Sequence, residues 1–253
     1  MSDMEAGEDL VVDGEPAPVG DGIEIRVLSE PAELAGLVTL FNQVWGSITP
    51  LVGVELLRAV SHSGGYTAAA YHDGQIIGGS LGFLARHQGE PALHSHITGL
   101  LPGVRKTGVG RAMKLHQRAW ALDHDLPWVT WTFDPLVRRN AWFNIHVLRA
   151  QVHEYLTNFY GPIDDSVNQL DASDRLLVAW PTQGGAPAPA DQATAGLDVV
   201  ATPEDIVVLR RIDPTAAAAW RLRLREELGA ALTNGARVVG VTRAGEYLLA
   251  RRS

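Results

Sequence analysis

Two stretches of the sequence hold residue types whose spacing could serve chemistry. The first is PGVRKTGVGRAM, from Pro102 to Met113. Arg105, Lys106 and Arg111 gather positive charge there, in a chain whose formal net charge is -8. Gly108 and Gly110 leave the backbone bare, so an anion can approach the amides closely. The amphipathic run that follows predicts a helix over 109–122. The first N–H groups of such a helix have no intrahelical partner and carry partial positive charge. A phosphate fits that arrangement. The stretch lacks the Gly-Lys-Ser/Thr ending of a Walker loop, and Met113 stands where GxGxxG would have its third glycine. Alone, it reads equally as a helix start behind an exposed basic loop.

The second is His94-Ser95-His96, inside ALHSHITGL at 92–100. In a strand the two histidines alternate with Ser95 and leave on one face, which Thr98 and Leu100 should share. Imidazole titrates near neutral pH and suits a general base. The structural alternative is a pair of hydrogen-bonded wall residues. Trp131, Phe133 and Asp134 end a later strand. Asp134 either holds a cationic amine or simply turns the chain at Asp-Pro. Arg138 and Arg139 either bind an acidic group or form a solvated pair. No His/Asp/Glu grouping has metal-ligand spacing, so no metal is expected. With no cysteine, thiolate nucleophiles and disulfides are excluded.

These residues need a scaffold of mixed α/β type. The predicted order is a strand at 23–28, helices at about 31–45 and 54–60, a hairpin over 67–85 turning at Asp73-Gly74, and the 92–100 strand. The loop and its helix come next, then a strand at 128–133, a helix near 140–150 and two more strands, the second at 175–180. In the 109–122 helix, Ala112, Leu115, Ala119 and Leu122 make an apolar stripe with Val109, Met113 and Trp120 beside it, and Arg111, Lys114 and Arg118 opposite. Residues 1–20 read as an acidic leader without fixed structure, and 181–196, rich in Pro, Ala and Gly, as a linker. Residues 197–253 form an extension of strand, helices 203–211 and 214–233, and a hairpin around Ala244-Gly245. Ala217, Trp220, Leu224, Leu228 and Leu232 give its long helix a stripe that must be covered, by the main domain or by a second subunit in a homodimer. The acidic balance argues against nucleic acid as a partner. No basic-then-apolar leader and no bilayer-length apolar run is seen, so a cytoplasmic setting without membrane contact is the default expectation.

Arg105, Gly108 and Gly110 fall as in the Arg-x-x-Gly-x-Gly/Ala signature of the GNAT superfamily of acyl-CoA-dependent N-acyltransferases. The chain resembles that superfamily over 21–180, and most closely a little-characterised branch sharing its LHSH strand and NFYG segment. The resemblance implies a splayed mixed sheet flanked by helices, with the 92–100 and 128–133 strands parting to admit acetyl-CoA as co-substrate. It places the pyrophosphate on the amides of Thr107, Gly108, Val109, Gly110, Arg111 and Ala112, beside Arg105 and Lys106. It pairs the pantetheine arm with the backbone near Leu100 and makes Asn140 a further cofactor contact. His94 falls near the place of a carboxylate base. Asn144 stands where a tyrosine acid is expected, and Tyr155 or Tyr160 could substitute. The function so implied is acetylation of a small-molecule or amino-acid-like amine. Its alternatives are a non-catalytic acyl-CoA-binding module and a protein N-terminal or lysine acetyltransferase.

Overall fold

Ala68, Ala69 and Ala70 have no exposed surface, and Tyr66 none either, so the strand they form must be covered on both faces. The computed structural model describes residues 22–46, 50–104, 107–161, 172–184 and 196–251. They fall into two units, Met1–Trp131 with Pro181–Gln183, and Thr132–Trp180 with Gly184–Ser253. The leader 1–20, Arg105, Lys106 and most of the 181–196 segment lie outside the described residues.

In the first unit, β1 (Ile23–Val27), β2 (Tyr66–His72), β3 (Gln75–His87) and β4 (Glu90–Leu100) form an antiparallel meander. β5 (Trp128–Phe133) lies parallel to β4, which makes the sheet mixed. The hairpin turns at Asp73 and Gly74, both at positive φ, as a tight turn between twisted strands requires. Helices α1 (Pro31–Trp45) and α2 (Val54–His62) precede β2, and α3 (Val109–Asp123) follows β4. Pro31 opens α1 and Gly46, left-handed at φ 62, closes it. Leu34, Leu37, Leu40 and Phe41 pack with Ala69 and Leu81 in one core.

That packing depends on a bare backbone at Gly79, where an added Cβ would lie 2.2 Å from Leu37 Cδ1. Gly79→Val is expected to destabilise the fold by about 1–3 kcal/mol, the usual result of overfilling a packed core. Urea denaturation measures it; a loss below about 0.5 kcal/mol would mean that α1 can stand off the sheet at no cost.

The inner face of α3 differs from the expected one. Val109, Gly110, Met113, Lys114, Gln117 and Ala121 are buried, whereas Leu115 and Leu122 are 37% and 42% exposed. Val109 and Met113 pack with Ala70, Ile77 and Leu100. Lys114 and Gln117 meet hydroxyls of the sheet, Ser95 and Ser80. Hydropathy counts lysine and glutamine as outward residues and so drew the stripe on the wrong side.

In the second unit, α4 (Arg138–Ala141) runs on as a π-helical turn, Trp142–Val147, with Leu148 N–H donating to the Phe143 carbonyl. The helix expected near 140–150 is therefore shorter and wider at its end. β6 (Gln151–Leu156) pairs antiparallel with β7 (Arg175–Pro181). β8 (Asp198–Val200), β9 (Arg237–Val241) and β10 (Tyr247–Ala250) form a second sheet in the order β8-β10-β9. Between β8 and β9 come α5 (Ile206–Ile212), α6 (Pro214–Leu224), a π-helical turn (Arg225–Gly229) and α7 (Ala230–Thr233). Asp205 and Asp213 cap α5 and α6 by accepting from first-turn amides.

Residues from Asp198 onward fall in the same compact unit as 132–180. Asp134 takes both Arg210 and Arg221, Asp174 takes Arg225, and the Tyr247 hydroxyl donates to the Pro135 carbonyl at 2.8 Å. Ala217, Leu224 and Leu228 of the predicted stripe are buried. Among the described residues, no helix is long and apolar enough to cross a membrane.

Candidate active site

β4 and β5 pair only at Ala92↔Trp128, Leu93↔Val129 and His94↔Thr130 among the described residues. β4 then continues to Leu100, so the strands part beyond His94, and from Ser95 on β4 has no described pair with β5. This is the splayed sheet that the resemblance implied.

A β-bulge lies at the same place. Leu81 is opposite Ile97 and Gly82 is opposite Ser95, so His96 is the extra residue of β4. It breaks the alternation on which one shared histidine face rested. Thr98 turns to Ser80, hydroxyl to hydroxyl at 3.0 Å, and Leu100 to Val109 and Met113 of α3. His94 instead pairs across the strands with Phe83. The Phe83 ring lies 5.2 Å from His94 and 5.4 Å from His96, and the two imidazoles are 6.3 Å apart. The histidines are therefore close, but Thr98 and Leu100 are not on their side.

His94 Nδ1 lies 3.1 Å from Thr130 Oγ1. Burial, with His96 and Lys114 nearby, pushes its pKa down to about 4, so the ring is neutral at physiological pH. Burial also lowers the pKa of His96.

The start of α3 has the form of an anion site. Gly108 sits at φ 85 as N-cap, and no side chain caps the helix. That left-handed conformation suits glycine and strains most other residues. The Ala112 N–H already donates to the Gly108 carbonyl at 3.0 Å. The amides of Val109, Gly110 and Arg111 come before it and have no carbonyl one turn back within the helix. Of the six amides expected to face phosphate, that of Ala112 is thus committed to the helix. The Thr107 hydroxyl donates to the Val104 carbonyl at 2.6 Å.

Asn140, Asn144 and Tyr160 belong to the other unit. The Asn140 N–H donates to the Val137 carbonyl, and the Asn144 carbonyl accepts from Ala150. Asn144 is buried. The Tyr160 hydroxyl shares a hydrogen bond with Thr132 Oγ1 at 3.2 Å. Tyr155, the other possible acid, donates to Asp174 Oδ2 at 2.8 Å, and burial beside that carboxylate raises its pKa far above the usual tyrosine value. Asp134 is engaged by two arginines rather than open to a substrate amine. Arg138 is half-buried and donates to the hydroxyl and carbonyl of Thr202.

Sequence reasoning missed the inward set of Lys114, Gln117, Ser95 and Ser80. The one signal was spacing: Gly110, Lys114, Gln117 and Ala121 fall on one helical face once the stripe is drawn through Val109 and Met113.

No family model and no curated protein matches the chain. Solved structures do. The Salmonella typhimurium protein yncA, described as a candidate acetyltransferase and solved with its cofactor acetyl-CoA, is 14% identical; the match covers 67% of this chain and 99% of that one, at a TM-score of 0.51. An N-acetyltransferase from Staphylococcus aureus Mu50 is 12% identical, over 64% of this chain and 99% of that one, at a TM-score of 0.50. The chain shares the fold of these two structures: a mixed sheet, with β4 and β5 parting after His94, flanked by helices.

Proposed function

We propose that this protein is an acetyl-CoA-dependent N-acetyltransferase acting on the amine of a small molecule. The observation that carries the reading is a sequence of sites along one strand: the parting of β4 from β5 after His94, the β4 edge from Ser95 to Leu100 with no described pair to β5, and then the uncapped start of α3. Bound there, acetyl-CoA would supply an activated thioester. The amides of Val109, Gly110 and Arg111 would hold its phosphates, with Arg105 and Lys106 adding charge. The β4 edge up to Leu100 would hold the extended arm. The protein's main contribution is then to place an amine beside the acyl carbon.

An acceptor amine with a pKa near about 10 is neutral in roughly one molecule per thousand at pH 7. We assign His96 as the base that removes its proton. It is the bulged residue and the more exposed of the two histidines. His94 serves as its neutral neighbour. Because the pKa of His96 is lowered, its base form is present above that value, so kcat/KM should rise with pH below about 6.5 and level off before neutrality. His96→Ala should remove that rise and cost on the order of 10²–10⁴ in rate, with CoA affinity unchanged. Rate profiles and calorimetry on His94→Ala and His96→Ala decide it. If both variants keep the wild-type rate and profile, neither is the base.

A second reading, acyl-CoA binding without turnover, is favoured by the commitment of the Tyr155 hydroxyl to Asp174 and by an amide at Asn144. A mass-spectrometric screen with acetyl-CoA and pooled amines separates the two. Free CoA together with an acetylated small amine is the expected result. Tight CoA binding with no release under any amine would overturn the catalytic reading.

A further inference from the structure

Lys114 is a buried amine with no counter-ion among the described residues. The residue is 5% exposed. Nζ donates to Ser95 Oγ at 2.8 Å and to Gln117 Oε1 at 3.4 Å, and lies 4.2 Å from the centroid of the Trp131 ring. Gln117 donates in turn to Ser80 Oγ at 3.3 Å. Among the described residues no carboxylate pairs with Lys114. β3 presents Ser80 to this network, β5 presents Trp131 and β4 presents Ser95; His94, hydrogen-bonded to Thr130, is the titratable neighbour on β4, and Lys114 opposes its protonation.

Position gives the cluster its meaning. The last β4–β5 pair is His94↔Thr130. Ser95 and Trp131 are the next residue on each strand, and Lys114 Nζ contacts both. The amine therefore sits at the apex of the wedge, where the strands separate. Desolvation penalises an ammonium in such a place, and a methionine would fill similar volume without that penalty. Burial brings its pKa down to about 7, so both forms coexist near neutrality. A cation kept at that cost becomes useful when negative charge forms beside it.

We propose that Lys114 is a positioning residue for acyl transfer: acting through Ser95, it holds a positive charge at the apex of the β4–β5 wedge that stabilises the departing thiolate. This rests on the acetyl-CoA reading above. In the transfer the amine nitrogen bonds to the acyl carbon as the C–S bond breaks. The bonding pair leaves on sulfur, and the amine proton goes to the base. Lys114 acts in its protonated form, which transfers no proton and supplies only the field.

The test needs no acceptor. CoA carrying 13C at the carbon next to sulfur is bound to the wild type, Lys114→Met and Lys114→Arg, and its thiol is titrated by NMR. The thiol of CoA bound to the wild type should ionise below the pH at which free CoA does, giving about tenfold more thiolate at a given pH near neutrality. Lys114→Met should abolish that gain and Lys114→Arg should keep it. If CoA binds and its thiol titrates alike in the wild type and Lys114→Met, the proposal is overturned and the acetyl-CoA reading stands. Should Lys114→Met fail to fold, the wild type and Lys114→Arg decide: a thiol unshifted from that of free CoA overturns the proposal, and a shift kept by arginine supports it. If the wild type binds no CoA, the acetyl-CoA reading falls and takes this inference with it.

Discussion

Gly110→Asp is expected to abolish CoA binding in a protein that remains folded. Gly110 lies in the first turn of α3, between the amides of Val109 and Arg111, and the first intrahelical bond there is Ala112 N–H to Gly108 C=O. A carboxylate in a helix's first turn is favourable for the helix, because it meets the positive end of the dipole. Gly110 is buried on the inward face of α3, so the added carboxylate costs some stability and, held beside the amides of Val109 and Arg111, repels an incoming phosphate. Two unit charges about 4 Å apart near a protein surface interact by roughly 4 kcal/mol, so a loss of at least about 100-fold in affinity is expected. Gly110→Asn has the same size without the charge and should lose much less. Calorimetry with CoA, at low and moderate salt, measures both. A folded Gly110→Asp variant that binds CoA within about threefold of the wild type would remove the phosphate site from α3.

Asp134→Ala should unfold the second unit ahead of the first. Asp134 accepts from Arg221 at 2.7 and 2.8 Å, one bond to each carboxylate oxygen, and from Arg210 at 2.5 Å. Its Oδ1 also takes the Leu136 N–H at 2.9 Å. Both arginines are 2% exposed. Two-pronged arginine–carboxylate bonds are strong, but in a dry interior they mostly offset the cost of burying the charges. Removing the carboxylate leaves two guanidinium groups facing one another with little water, and breaking such a pair costs about 3–5 kcal/mol. Hydrogen exchange should show lost protection in α5 and β10, which carry or adjoin the network. A stability change under about 1 kcal/mol, with β10 still protected, would show that water or another anion replaces the carboxylate.

The network also sets an acid limit. The arginines hold the Asp134 carboxyl well below the usual range in the folded state. A depressed folded pKa contributes stability that is complete above the unfolded value, about 3.9, and is lost as pH falls below it toward the folded value. Acid unfolding of this unit should therefore begin below about pH 4.

Most elements of this fold are legible in the sequence because their signals are local. Pro31 and Gly46 bracket α1, Asp73-Gly74 turns the first hairpin, and Asp205 and Asp213 cap their helices. The Arg-x-x-Gly-x-Gly spacing, with Gly108 taking up the one backbone conformation that suits it, likewise needs no knowledge of distant residues. What failed were inferences about facing. Period-two alternation cannot reveal an extra residue, and His96 is one, so the histidines parted from Thr98 and Leu100. A hydropathy stripe assigns Lys114 and Gln117 to water, yet both are buried.

The sequence by itself therefore determined the elements, their order and the bare-backbone loop before α3. Periodicity, caps and turns act over a few residues and do not depend on what lies across the core. Only the tertiary structure decided which polar groups turn inward. Lys114 can be buried because Ser95, Gln117 and the Trp131 ring receive it, and Asp134 because Arg210 and Arg221 come from 76 and 87 residues away along the chain. Whether a charge stays in water or goes inside depends on its partners, and those partners are neighbours only after the chain has folded.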